Sequence, residues 1–352
     1  MEKGSPRSPA ELFRFLQDPH LVARFQHICG VRGLGKRGGS PLCENSPTDD
    51  AGHLEFVVEN RFLYYLFTFG TELGNELFYL SFFPFLLWNV DVPLGRRLIM
   101  VWVWVMYLGQ CTKDLLGWSR PASPPVVKVE LLYDSEYGMP STHAMSATAI
   151  PFALFFLTFG RWQYSFWLGL AVALCWCLLV CVSRIYMGMH SFLDVMAGVA
   201  YSALILPLLL PALDAADELV ASSGYAAGAA AAVHAALGLL SSGLDGWSTS
   251  RADTARILGS GAGVALGSRA ERLLGLLPPG GSPAGGLSLA ALRWLAGVPV
   301  LLATRALTEA LLTAALQRRP RSEIPRRYLV YGAVGFNVLF LAPLVFRLLR
   351  LN

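Results

Sequence analysis

An all-α, multi-span transmembrane helical bundle is the architecture this 352-residue sequence encodes. Apolar residues of the AVILMFWYC set make up 54% of it and Asp, Glu, Lys and Arg only 15%, where a soluble domain carries roughly a quarter charged. Mean hydropathy is positive, and apolar stretches of about 17–25 residues, the length a helix needs to cross a bilayer, recur from residue 68 onward. The net charge of +4 is too small, and basic runs too poor in interleaved aromatics, for a nucleic-acid partner. Six cysteines form no CxxC pair, so neither structural zinc nor a redox dithiol is indicated. Cys175, Cys177 and Cys181 lie in an apolar run, where a thiol behaves as a small hydrophobe.

Residues 1–60 form a polar N-terminal region. Ser8-Pro9-Ala10-Glu11 has the form of a capping box with proline at the first helical position, and Leu12, Phe15, Leu16, Leu21, Val22 and Phe25 supply an apolar stripe beside Arg14, His20 and Arg24. One short amphipathic interfacial helix is expected there, then a linker over 30–53. No signal peptide precedes the first long apolar stretch, so insertion is expected to begin with the first span.

Passages through the bilayer are placed near 68–88, 98–112, 144–160, 163–183, 191–211, 224–244, 287–316 and 328–349. A weaker candidate runs over 254–275, so eight passages are expected. Gly259, Gly263 and Gly267 in that stretch recur at spacing four, a pattern for close helix packing. Arg96 and Arg97 follow the first span and Arg161 the third; excess positive charge marks the cytoplasmic side, so the ends of spans two and four face the lumen or the outside. The basic loop Gln317-Arg318-Arg319-Pro320-Arg321 would also be cytoplasmic only if 254–275 does not cross.

Three clusters put charge at the membrane edge, where charge is costly and usually functional. Lys113, Arg120 and Pro121 follow span two, Pro140-Ser141-Thr142-His143 precedes span three, and Ser183-Arg184 ends span four, with His190 and Asp194 opening span five. The crossing pattern alone brings all three to one face. Any one of these charges could be a snorkelling span-end residue; their joint sidedness is what points to chemistry.

That chemistry suits a phosphate monoester. A transferring phosphoryl group spreads charge over three equatorial oxygens, so catalysis needs cations around them, an in-line nucleophile and an acid for the leaving oxygen. Lys113, Arg120 and Arg184 supply cations, the guanidinium forks binding two oxygens each. Ser141, with the amides opening the following helix, supplies donors at a helix N-terminus. Asp194 lies four residues after His190 and so on the same helical face; by accepting one ring N–H it would leave the other nitrogen of His190 free to attack. His143 is then the general acid and later the base for water. The scheme calls for no metal or other cofactor. His234, alone in an alanine-rich run, reads as a packed residue. Glu72 and Glu76 at spacing four could neutralise a basic residue or line a cavity, and the polar break Trp247–Arg251 with Asp253 could border an entrance or be a plain loop.

These residues resemble the three signature motifs of the type 2 phosphatidic acid phosphatase superfamily: Lys113 with Arg120-Pro121, Pro140-Ser141-Thr142-His143, and Ser183-Arg184 with His190 and Asp194. Thr142 stands where many members have glycine, a feature shared with the sphingosine-1-phosphate phosphatase branch. The stretches Phe69–Glu76, Tyr107–Asp114, Glu136–Met139, Ile185–His190 and Asp253–Gly261 are similar to that branch too. The resemblance implies a haloperoxidase-like helical core over 61–211 followed by C-terminal membrane helices over 212–352. It also implies Thr142 and Ser183 as substrate-binding residues beside those named above. It further implies a lumen-facing site in the endoplasmic-reticulum membrane, acting on sphingosine-1-phosphate and its dihydro form through a phosphohistidine. Broader action on phosphatidate or lysophosphatidate, and transport of an anionic lipid, are the alternatives.

Overall fold

Ser8 caps α1 (Pro9–Gln17), accepting from the Glu11 amide at 3.2 Å. Asp18 then ends that helix and caps α2 (Pro19–Ile28), accepting from the His20 amide at 2.9 Å. The single amphipathic helix expected here is therefore two, because Pro19 has no amide to continue α1. In the computed structural model, residues 8–33, 56–130, 136–241, 250–277, 286–316 and 323–351 are described. Most of the expected linker with Cys43, the break at 247–249 and the basic loop 317–321 lie outside them. A short antiparallel pair, β1 (Val31–Gly33) with β2 (Phe56–Val58), leads into the bundle.

The bundle begins with α3 (Arg61–Glu72) and α4 (Glu76–Asn89). The expected span over 68–88 is thus interrupted at Leu73-Gly74-Asn75, where a side chain on Gly74 would run into the His143 ring. Asp91 caps α5 (Val92–Leu116), accepting from the Leu94 amide at 2.7 Å. Gly117 closes that helix at φ 61°, a left-handed conformation that glycine adopts without penalty. This stop sets Lys113 in the last turn. There follow α6 (Thr142–Thr158), α7 (Phe166–Tyr186), α8 (Phe192–Ser222), α9 (Ala226–Ser241), α10 (Ser250–Leu274), α11 (Leu287–Leu316), α12 (Glu323–Asn337) and α13 (Leu341–Leu348). By length and apolar content α5, α7, α8, α11 and the α12–α13 pair are each sufficient to cross a membrane, while α6 and α9 are shorter apolar helices. The chain is a multi-span membrane protein.

Ion pairs fix which ends lie together. Arg97, in the first turns of α5, meets Asp214 and Asp217 near the end of α8, both at 2.9 Å, and Arg161 after α6 meets Asp91 at 2.8 Å. The arginines that sequence assigned to one side are therefore at one end, and Lys113, about 24 Å along α5 from Arg97 at 1.5 Å per residue, is at the other. α10 also runs the full depth: the Ser250 hydroxyl donates to Asp114 at the Lys113 end, and Arg272 donates to the Val220 carbonyl at the far end. The stretch near 254–275, the weaker candidate for a passage, is therefore one long helix beside the others, though it is not among the helices apolar enough to cross by composition. Small residues and charged ends depress the hydropathy of α10, while its glycines bury it.

Those glycines set its depth of packing. A Cβ on Gly259, Gly263 or Gly267 would strike the α12 backbone at Tyr328, Gly332 or Phe336. Backbone cannot move aside as a side chain can, so overpacking is costly. Gly263→Leu is expected to destabilise the detergent-solubilised protein by about 3 kcal/mol or more, read as a lowered Tm. Gly228→Leu, where an added Cβ meets nothing within 4 Å, should stay within about 0.5 kcal/mol of the parent. His234 is packed as expected, buried with Nδ1 2.7 Å from the Ala230 carbonyl and its ring 5.5 Å from that of Trp104.

Candidate active site

Four helix ends and one loop converge at the Lys113 end of the bundle. Backbone bonds knit the three motifs: the Gly138 amide donates to the Trp118 carbonyl at 2.7 Å, and the Ser141 amide to the Asp194 carbonyl at 3.0 Å. The loop between α5 and α6 is pinned from outside by α2. Gln26 donates to the carbonyls of Val127 (2.7 Å) and Tyr186 (2.9 Å) and accepts from the Val127 amide (3.0 Å). An N-terminal helix thus ties the loop carrying Arg120 to the end of α7.

The three cations are buried. Lys113 is 1% exposed and its ammonium lies 3.0 Å from the Glu136 carboxylate. Arg120 donates from Nε to the Glu136 carbonyl at 2.9 Å and from Nη1 to the Met189 carbonyl at 2.8 Å, with Nη2 3.8 Å from the Glu136 carboxylate. Arg184 is fully buried, and its Nη1 donates to Glu130 at 2.6 Å and to Thr71 at 3.4 Å. Its Nε and Nη2 are buried with no hydrogen-bond partner. Leaving such donors unsatisfied costs free energy, so this half of the fork is built for an acceptor that enters from elsewhere.

His190 follows α7 in the turn before α8. Its Nε2 lies 3.1 Å from Arg120 Nη1. A guanidinium only donates, so Nε2 accepts, and the proton of the neutral ring sits on Nδ1. Burial, then Arg120, Arg184, Lys113 and His143, hold the His190 pKa well below the usual histidine value. The ring is therefore neutral at pH 7, with a lone pair facing a cation. His143, in the first turn of α6 and lining one cavity with Lys113 and Arg120, puts the second imidazole at this end too.

Asp194 differs from its expected part. Its carboxylate is 3.8 Å from His190 Nδ1, beyond hydrogen-bond length, and Nδ1 has no hydrogen-bond partner. Asp194 instead completes a capping box on α8, accepting from the Ser191 amide at 2.8 Å while its own amide donates to the Ser191 hydroxyl at 3.1 Å. Spacing of four is right for facing His190, but the third helical position is also where a carboxylate caps best. Ser141 likewise caps α6, accepting from the Ala144 amide at 3.4 Å. The Ser183 hydroxyl donates to the Val180 carbonyl at 2.6 Å and accepts from Thr71. It pins α7 to α3 rather than facing the centre.

A cavity of about 160 Å³, open along part of its length, starts at this cluster. Lys113, Arg120, Glu136, Thr142 and His143 line its polar part. It continues between α4, α5, α10, α11 and α12, where Tyr79, Phe83, Trp102, Ile257, Leu301 and Val334 line it. Glu76 lies on it and pairs with Arg305 at 2.9 Å and Arg256 at 3.6 Å, so it both neutralises bases and lines a cavity. Glu72 is exposed. Sequence reasoning assigned no part to Glu130 or Glu136, whose partners lie 54 and 23 positions away. The one available signal was that three acidic residues, Glu130, Asp134 and Glu136, fall between the first two motifs.

The pattern of the PAP2 superfamily matches residues 93–217, and that of the PAP2 superfamily phosphatase transmembrane extension matches 255–352. The chain is 49% identical to sphingosine-1-phosphate phosphatase 1 of Mus musculus, over 96% of this chain and 97% of that one. The chain belongs to the PAP2 superfamily. Within this family of phosphatases it is also 37% identical to sphingosine-1-phosphate phosphatase 2 of Homo sapiens, over 97% of this chain and 100% of the other. A dihydrosphingosine 1-phosphate phosphatase of Schizosaccharomyces pombe is 31% identical over 41% of this chain and 37% of its own. No solved structure matches the chain significantly. In family terms, the cations and imidazoles sit on the PAP2 segment with its flanking turns, and the transmembrane extension contributes α10, α11 and α12 as one wall of the cavity.

Proposed function

We propose that this phosphatase hydrolyses sphingosine-1-phosphate and dihydrosphingosine-1-phosphate to the long-chain base and phosphate. The phosphate sits among Lys113, Arg120 and Arg184, and the alkyl chain lies in the apolar cavity. The observation that carries the reading is His190 Nε2 held 3.1 Å from Arg120 Nη1, at the same end of the bundle as a buried guanidinium with two unanswered donors. Nε2 attacks phosphorus while the ester P–O bond breaks and His143 gives its proton to the leaving oxygen. His143 then takes a proton from water, the resulting hydroxide attacks phosphorus, the P–N bond breaks, and inorganic phosphate departs. During the intermediate the ring carries charge and keeps its Nδ1 proton. Asp194, 3.8 Å away, stabilises that charge through space.

The substrate follows from the likeness to relatives named for sphingosine-1-phosphate and dihydrosphingosine-1-phosphate along nearly the whole chain or its core. Placing Arg96, Arg97 and Arg161 on the cytoplasmic side supports a site on the opposite face, which is the lumen if the membrane is the endoplasmic reticulum that the family resemblance implies. The test is phosphate release by purified protein in detergent. Release from sphingosine-1-phosphate is expected to persist in EDTA and to be blocked by vanadate, which takes the pentacoordinate geometry of the transferring group. A strict magnesium requirement overturns the mechanism, and equal turnover of diacyl phosphatidate overturns the sphingoid assignment.

A further inference from the structure

The loop between α5 and α6 places carboxylates directly on the cations that the proposed reaction needs. Glu136 holds Lys113 at 3.0 Å and lies 3.8 Å from Arg120, and Glu130 holds Arg184 at 2.6 Å. Glu136 is itself only 8% exposed. Asp253, from the start of α10, is within hydrogen-bonding reach of Glu136 and lines the same cavity. A phosphate that takes over Lys113 and Arg120 therefore strips Glu136 of its counter-charges in a buried place, where an unpaired charge is strongly disfavoured.

The neighbouring Arg184–Glu130 pair also shows that this end of the bundle lacks partners of both polarities. Its unsatisfied atoms are of both kinds: Arg184 Nε and Nη2 are donors, and Glu130 Oε1 is an acceptor. A plain phosphate answers the donors only. A 2-amino-alkyl phosphate carries its ammonium on the carbon next to the ester carbon, and so delivers a cation beside the phosphate it brings. Glu136 is the better placed carboxylate to receive it, because it lines the cavity that takes the chain, and Glu130 does not.

Resting on the proposed function, we infer that Glu136, backed by Asp253, binds the ammonium of the sphingoid base and is the specificity-determining residue of the site. Binding is then an exchange of ion pairs. The substrate phosphate replaces Glu136 on Lys113 and Arg120, and the substrate ammonium replaces those cations on Glu136. Phosphates without an amine are rejected because they leave a buried carboxylate unpaired, a repulsive element of the kind that sets selectivity.

The experiment compares kcat and KM of the full chain in detergent on sphingosine-1-phosphate and on its desamino analogue, which has hydrogen in place of the amine. The parent is expected to favour the amine at least tenfold in kcat/KM. Glu136→Gln should narrow that ratio to threefold or less, chiefly by raising KM for the amine substrate, and Asp253→Asn should narrow it partly. A parent that turns over both equally overturns the inference while leaving the phosphatase reading intact; release from neither defeats the reading itself. Equal losses on both substrates in Glu136→Gln would make it only a support for Lys113 and overturn the inference. Should Glu136→Gln fail to fold, an unchanged ratio in Asp253→Asn overturns it as well.

Discussion

A His190→Ala variant is expected to release no phosphate from sphingosine-1-phosphate above background, a fall of roughly 10⁴–10⁶ in kcat as for loss of other enzymatic nucleophiles. The side chain removed is the one whose Nε2 lies 3.1 Å from Arg120 Nη1 and that the mechanism assigns as nucleophile. His143→Ala should behave differently. Loss of general acid–base help costs about 10²–10⁴-fold, and the second step loses the base for water, so a slowly formed phosphoprotein should accumulate. Acid quenching after incubation with labelled substrate separates the two: label retained on His143→Ala and absent from His190→Ala. A transporter would still move lipid with alanine at 190, and that outcome would remove the enzymatic reading.

The pH profile carries the same assignment. Attack needs neutral His190, and burial with the surrounding cations holds its pKa below the usual value, which is about 6.5. Protonation sets in only as pH falls through that depressed value, so kcat/KM should hold at pH 6.5 and decline further into acid. An acid limb centred above pH 6.5 would mean that the ring does not feel the cations around it.

Much of this site was legible without coordinates because it depends on sidedness, and sidedness follows from counting apolar runs. Lys113, His143, Arg184 and His190 were placed at one end by where their runs start and stop, and in the structure Ser141 and Ser191 cap the helices that begin there. What could not be read were contacts made through space between groups with no shared period. Glu136 on Lys113 is one. The break at Gly74 is another: its reason is the His143 ring, 69 positions later. Asp194 shows the opposite limit, a spacing with two physical meanings in which the helix cap took the carboxylate. α10 was undervalued because hydropathy scores lipid-facing residues, whereas its glycines face another helix.

Arg184→Lys is expected to lower kcat/KM by about 10²–10³, the usual effect of removing a donor aimed at developing oxyanion charge, while the protein keeps its fold. Lysine retains the positive charge that Glu130 meets at 2.6 Å, so the buried carboxylate is not stranded. Arg184→Ala would strand it, at about 3–5 kcal/mol, and so confounds stability with catalysis. The lysine variant isolates the fork. Arginine alone can give Nη1 to Glu130 and still offer Nε and Nη2, the two buried donors without partners, to the phosphate. An ammonium is a point charge without that planar geometry. Thermal unfolding of parent and variant, measured beside turnover, decides the matter. An unchanged Tm with activity lost assigns those donors to the substrate. Unchanged activity would mean that Arg184 merely neutralises Glu130, and the phosphate would have to be held by Lys113 and Arg120 alone.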